Sequence, residues 1–343
     1  MGDSYMQSIP MQVIEGTLNW NREQGVDTVQ GLNQRIADGT FLDLVKASDQ
    51  RYHEFTQAAA NAIIDSPKPI RLVIVAGPSS SGKTTATIKI SERLAEKGLK
   101  LVPMVLDNYF FNLEMHPKDE YGDYDFETPQ ALDIPLINKH LSDLMAGREI
   151  QMPIYSFKTG KRLEETVPLK IADDQIILID SLHGLYAPMT ESIPHENKFR
   201  LYIETLSQLK DANGNWTKWT DIRLLRRMIR DSWHRSYSPV RTIGHWHYVR
   251  RSEMAHIVPF ITETDFVING ALAYELPIHK KYSFAALTEA IEEFKGDEGK
   301  RDAAIRARRV YDLLDTITMI EDDSCVPAKS PLREFIGGSE YEY

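Results

Sequence analysis

Apolar positions first gather in a helical rhythm. From Gln30 to Ile64 polar and apolar residues alternate so that Leu32, Ile36, Phe41, Leu42, Leu44 and Val45 supply apolar faces, with Gly39 a stop between two helices. The cluster Ser66-Pro67-Lys68-Pro69 breaks the pattern and is the strongest boundary signal in the chain. Beyond it the rhythm changes to short continuous apolar runs, Leu72 to Ala76, Leu101 to Leu106 and Ile176 to Ile179, separated by helical segments. Runs apolar on both faces suit strands buried in a parallel sheet, and their alternation with helices predicts a doubly wound α/β fold. Helices packed on that core are expected again from Ser283 to Ile320. The expected organisation is a helical appendage over residues 1–66, an α/β core over 67–282 with a lid near 205–250, and a helical extension over 283–343.

Composition narrows the function classes. Ten net negative charges argue against a broad nucleic-acid or anionic-membrane footprint, which needs a basic face. No window approaches the roughly 18 apolar residues of a membrane span. The lone Cys325 rules out an intrachain disulfide and a cysteine-built zinc site, and fits a reducing cytoplasm. A small-molecule partner is expected, with no nucleic acid and no membrane; assembly into a homo-oligomer stays open.

The sharpest motif is Gly77-Pro78-Ser79-Ser80-Ser81-Gly82-Lys83-Thr84, which fills GxxxxGK[ST], follows an apolar strand and opens a helix. Its glycines let the backbone curl so that successive N–H groups point at phosphate oxygens, with the helix N-terminus adding partial positive charge. Lys83 is expected to neutralise the β and γ phosphates of ATP, and Thr84 to offer its hydroxyl to Mg²⁺. In an open parallel sheet, ligands bind beyond the carboxyl ends of the strands. Two acids are expected there: Asp107, terminating Leu101 to Leu106, and Asp180, terminating Gln175 to Ile179. Asp180 has the setting of a Mg²⁺-holding carboxylate, which leaves Asp107 as the base that accepts a proton from an attacking hydroxyl.

From Asp221 to Arg235, Arg223, Arg226, Arg227 and Arg230 fall within one arc of roughly 100° on a helix, opposite Ile222, Leu224, Leu225, Met228 and Ile229. One face is expected to pack and the other to present guanidinium groups to an anion, where arginines can stabilise charge on a moving phosphoryl group. His245 and His247 have no evident third ligand, so no metal site is assigned to them.

With these residues in view, the chain resembles the uridine kinase and phosphoribulokinase family over roughly Leu72 to Leu272. The loop from Gly77 to Thr85 and the run Asp107-Asn108-Tyr109-Phe110 resemble that family's segments. The resemblance implies that Thr85 joins the nucleotide-binding residues and that Glu127 grips ribose hydroxyls, where the family usually has Asp. It places Tyr155, Phe157 and Arg162 on the substrate side and Arg227, Arg230 and Arg235 among the lid arginines. Gly160 stands where uridine kinases carry a pyrimidine-contacting histidine, and Asp180-Ser181-Leu182-His183-Gly184 is similar to the EGLHG of phosphoribulokinases. A closer resemblance is to a bacterial uridine kinase-like group that carries threonyl-tRNA-synthetase-like amino-terminal domains, which are not expected among these residues. Leu32 to Ile64 and Ser330 to Ser339 resemble that group's helical linker and carboxyl-terminal signature. The segment Lys210 to Thr220 lengthens the lid relative to ordinary uridine kinases.

The implied activity is an ATP- and Mg²⁺-dependent kinase of a nucleoside 5′-hydroxyl. The alternatives are a kinase of a sugar, sugar phosphate or other small alcohol, and a protein that senses ATP without chemistry.

Overall fold

The order of strands across the sheet decides where a ligand can bind. In the computed structural model, which describes residues 10–118, 124, 126, 128–234 and 237–342, five parallel strands lie in the order β2-β5-β1-β6-β7. They are β1 (Leu72–Ala76), β2 (Lys100–Pro103), β5 (Gln175–Asp180), β6 (Lys198–Glu204) and β7 (Phe266–Asn269). The chain leaves β1 through α4 (Lys83–Ala95) to the edge strand β2, and β5 and β6 later fill in on either side of β1. The central strand β1 therefore has a neighbour on each side whose carboxyl end opens beside its own. The register fixes this closely: Val75 pairs with Asp180 of β5, and Ala76 with Tyr202 of β6.

Side chains along β1 alternate between the two sheet faces, and both faces are buried. Val73 and Val75 join Ile90 and Leu94 of α4 together with Leu44, Tyr52, Ala59 and Ile63 of α3 (Phe41–Ile64). Leu72 and Ile74 face Ile137, Leu141 and Leu144 of α5 (Ile134–Met145). The amino-terminal helices α1 (Met11–Glu23), α2 (Val29–Ala37) and α3 thus build one wall of the sheet's own core. An antiparallel hairpin, β3 (Ile150–Ser156) and β4 (Lys161–Leu169), stands apart with a register shift between Pro153 and Tyr155. A second core joins α6 (Trp219–His234), α7 (Pro239–His256), α8 (Glu275–Glu293) and α9 (Arg301–Asp315) around Trp246 and Leu287. The chain then returns to the sheet through the short α10 (Arg333–Ile336), whose Phe335 is fully buried.

The strand expected from Leu101 to Leu106 is shorter than its apolar run. β2 ends at Pro103, and Asp107 sits in a 3₁₀ turn, Leu106–Tyr109. Residues 205–218 pack against the amino-terminal helices: the Lys210 amide donates to Asp27 O and the Val29 amide to Lys210 O, each at 2.9 Å. No described helix is long and apolar enough to cross a membrane.

Candidate nucleotide and acceptor site

The phosphate loop joins β1 to α4 through a backbone that few residues tolerate. Gly77 has φ +153°, and a Cβ there would lie 2.2 Å from Ile203 O, so only glycine fits. Ser80 is a non-glycine residue held at φ 62°, a strained conformation of the kind found where a structure is shaped for a ligand. The Ser80 and Ser81 hydroxyls are buried and reach no hydrogen-bond partner. Buried polar groups are normally satisfied, so these orphaned donors, beside the amino end of α4, fit a phosphate-bearing ligand. The Lys83 ammonium donates to Gly77 O at 3.0 Å and to Pro78 O at 3.4 Å, wrapping the loop it follows. Thr84 is exposed and so open to a ligand, whereas Thr85 is fully buried and its hydroxyl donates to Glu334.

Both acids follow strands on the same side of β1, Asp180 at the end of β5 and Asp107 in the turn after β2. Asp180 closes β5, and the next amide, Ser181 N, donates to Val75 O at 3.1 Å, which holds that carboxylate beside the start of the loop. Asp107 and Asp180 both touch solvent, yet protein surrounds each of them, which is the geometry of a cleft. Desolvation raises the pKa of Asp107, and the charge of Lys83 pulls it back. Desolvation likewise raises Asp180; Lys83 opposes that shift, while Glu334 and Asp107 add to it. Lys83 is lowered by burial and supported by Asp180 and Glu334. Lys83 acts on both carboxylates and Asp107 acts on Asp180, so the three groups lie within electrostatic reach of one another. A carboxylate with an upward shift is a better proton acceptor near neutral pH than an ordinary one.

The arginine helix corrects the sequence reading. Arg223 and Arg226 are fully buried and present nothing to a ligand. Arg223 forms ion pairs with Glu204 at 2.9 Å and Glu253 at 2.6 Å, and Arg226 with Glu275 at 2.7 Å. Helical spacing locates a face but not what covers it, and here carboxylates from β6, α7 and α8 cover two of the four arginines. The Arg223 guanidinium also donates to Ser79 O at 3.1 Å, so the buried pair props the phosphate loop from behind. Arg227 and Arg230 remain at the cleft. Both pair with the buried Asp231 at 3.2 Å, and Arg227 donates to Ser79 Oγ at 3.1 Å. Arg230 lies near enough to Lys83 to act on its charge.

On the acceptor side, the Asp107 turn runs into an aromatic cluster. Asn108 Oδ1 accepts the Tyr155 amide at 3.1 Å, and Phe110 lies 5.5 Å from Tyr155, 5.8 Å from Phe157 and 5.8 Å from Phe126. Tyr155 is buried and its hydroxyl unpartnered; Phe157 is 62% exposed. Arg162 is committed locally, donating to Phe110 O, Tyr109 O and Asp133 Oδ2 at 2.7–3.0 Å, so it shapes this turn from outside the cleft. Glu127 and Arg235 lie outside the described residues. A cavity of about 640 Å³ adjoins the cluster, lined among others by Tyr124, Phe126, Arg227, Arg241, His245 and His256. Two residues of this region escaped the sequence reading. His116 packs between Phe110 and Phe126 with its Nδ1 unpartnered, and Glu334 reaches the phosphate loop from far along the chain. His116 lies in no motif, and Glu334 lies in the carboxyl-terminal signature without any sign in the sequence of what it touches. Among the described residues, no cluster of three or more His, Cys, Asp or Glu is arranged to hold a metal. A hydroxyl and a carboxylate, those of Thr84 and Asp180, are donors of the kind Mg²⁺ accepts, since that ion commonly keeps waters and phosphate oxygens as further ligands.

A parallel sheet whose central strand runs into a phosphate loop, with the Asp180 carboxylate ending the neighbouring strand, defines a P-loop nucleotide-binding protein. Within that class the chain belongs to the phosphoribulokinase/uridine kinase family, whose sequence model matches residues 72–273. It is 29% identical over 198 residues to uridine-cytidine kinase B of Dictyostelium discoideum, covering 57% of this chain and 73% of that one. It is 32% identical over 171 residues to the uridine kinase of Bacillus pumilus, covering 50% and 71%. With the uridine kinase of Schizosaccharomyces pombe it shares 28% identity over 245 residues, covering 69% of this chain and 49% of that protein.

Proposed function

We propose that the protein is an ATP-dependent kinase that transfers the γ-phosphoryl group to a hydroxyl of a small molecule, with a nucleoside 5′-hydroxyl as the acceptor. The observation that carries this reading is the phosphate loop itself, in which Ser80 is held at positive φ and the Ser80 and Ser81 hydroxyls are buried without a partner, next to a strand whose terminal Asp180 pairs with Val75 of β1. Thr84 and Asp180 would hold Mg²⁺, which would supply positive charge to offset that of the phosphates. The loop amides and the Ser80 and Ser81 hydroxyls hold the phosphate chain, and Lys83 orients its far end. Asp107, raised by desolvation, accepts the proton that the acceptor hydroxyl loses. Arg227 and Arg230, braced by Asp231, stabilise charge on the transferring group and exclude water. The ring cluster of Phe110, Phe126, Tyr155 and Phe157 adjoins the Asp107 turn and suits a flat heteroaromatic base, which the names of the relatives also favour.

A second reading, a kinase of a sugar or sugar phosphate, is favoured by one position. Gly160 has φ +66°, and a Cβ there would lie 2.9 Å from Leu113 Cβ, so the pyrimidine-contacting histidine of uridine kinases has no room. ATP consumption measured across nucleosides, free pentoses and pentose phosphates separates the two. Turnover with a nucleoside is the expected result, turnover with pentose derivatives alone establishes the second reading, and no turnover with any acceptor sinks both.

A further inference from the structure

The family match ends at residue 273, yet a residue well beyond it touches the phosphate-loop helix. Glu334, on α10, is only 7% exposed. Its Oε2 accepts from the Thr85 hydroxyl at 2.7 Å and from the Thr85 amide at 3.3 Å. Thr85 directly follows the two residues assigned to phosphate and Mg²⁺, in the first turn of α4, where backbone amides have no partner within the helix. A carboxylate from another part of the chain satisfies one of them, so this turn is held from outside.

The segment that carries Glu334 is itself firmly placed. Arg333 donates to Val326 O at 2.9 Å and to Asp323 O at 2.8 Å. Ser330 bonds the Tyr274 hydroxyl at 2.8 Å. The buried Phe335 ring lies 5.0 Å beneath the Arg226 guanidinium, which donates to Gly270 O at 2.7 Å and to Ser81 O at 3.4 Å. The carboxyl-terminal segment thus grips the phosphate loop twice, through Glu334 on Thr85 and through Phe335 under Arg226 on Ser81.

We infer that Glu334 is a positioning residue of the nucleotide site: by holding the Thr85 amide and hydroxyl it fixes the helical turn that aims Lys83 and Thr84 at the phosphates. The inference rests on the kinase reading for what the loop binds, but not on the identity of the acceptor. Glutamine keeps an acceptor oxygen at this place and alanine does not, so the conservative variant should rescue what truncation loses. A residue needed only for folding would lower stability without touching the affinity of the protein that remains folded.

The test is calorimetric titration of the full chain with MgADP, alongside thermal melting without nucleotide. Glu334→Ala is expected to weaken MgADP binding at least tenfold, and Glu334→Gln to stay within threefold of the parent. Thr85→Val should reproduce the loss and Thr85→Ser should not, which keeps the test decisive if Glu334→Ala fails to fold. MgADP affinity unchanged within twofold in Glu334→Ala or Thr85→Val, whatever happens to melting, overturns the inference while leaving the kinase reading intact. Failure of the parent protein to bind MgADP overturns both.

Discussion

At the scale of single residues, the site depends on backbone shapes that a sequence announces only when they fall inside a motif. Gly77 lies in one, and its conformation follows from the pattern GxxxxGK[ST]. Gly160 does not; its substitution relative to uridine kinases was visible, but its cause, the approach of Leu113 to a residue at positive φ, emerges only from the fold. A histidine restored there meets both problems. Gly160→His should destabilise the protein by about 1–2 kcal/mol from the left-handed backbone alone, with the clash adding to it. It should also give no gain in pyrimidine nucleoside turnover. Chemical denaturation and an ATP-consumption assay check the two halves, and an unchanged unfolding midpoint would refute the strain argument. Asp107 and Asp180 were likewise legible as acids at strand ends, although Asp107 stands on a 3₁₀ turn past a strand that stops at Pro103. The run Met104 to Leu106 is apolar because Met104 and Leu106 are buried in the core, not because it extends the sheet.

At the scale of elements, α6 is where amphipathic reasoning reached furthest and then failed. The apolar face was placed correctly, with Ile222, Leu224, Leu225, Met228 and Ile229 all buried. The arginine face divides: Arg227 and Arg230 border the cleft, whereas Arg223 and Arg226 are enclosed with Glu204, Glu253 and Glu275. Those carboxylates come from β6, α7 and α8, so no local pattern could have revealed them. Burial works against the charge on Arg223, yet Glu204 and Glu253 hold its pKa above the ordinary arginine value. Removing one partner from a buried ion pair strands the others, at a cost of about 3–5 kcal/mol. Arg223→Met should therefore lose stability on that scale in chemical denaturation, and a loss under about 1 kcal/mol would show that the cluster is not a structural anchor. Because Arg223 also holds Ser79 O, MgATP affinity should fall in the fraction that folds.

At the scale of the whole molecule, the fold joins three parts that the sequence kept separate. The sequence pattern puts a boundary at Ser66 to Pro69, but α3, which precedes it, shares the sheet's core, and the carboxyl-terminal segment closes on both. Their junction is Asp49, whose carboxylate accepts from the Tyr274 hydroxyl at 3.0 Å while that hydroxyl also meets Ser330. Desolvation raises Asp49 from 3.8 to about 6, against the pull of its hydrogen bonds with Ser330 and Tyr274 and of Lys89. Between those values the folded chain keeps a proton that the unfolded chain releases. The stability Asp49 contributes is thus complete below 3.8 and lost as pH rises through about 6. His183 has the opposite sign: burial lowers it to about 4, so its contribution is complete above 6.5 and lost as pH falls through 4. The difference between parent and Asp49→Asn isolates the first effect. It should shift in favour of the parent between pH 7 and pH 5 in thermal melts, and a difference independent of pH would contradict the assignment. The central claim remains that Lys83, Asp107 and Asp180 share one cleft in which a phosphoryl group changes hands. Its most direct test is Asp107→Asn, followed by MgATP affinity and phosphoryl transfer to the acceptor in the same preparation. The account predicts affinity within about twofold of the parent and transfer reduced about 10²- to 10⁴-fold. Transfer at the parent rate in that variant would contradict it.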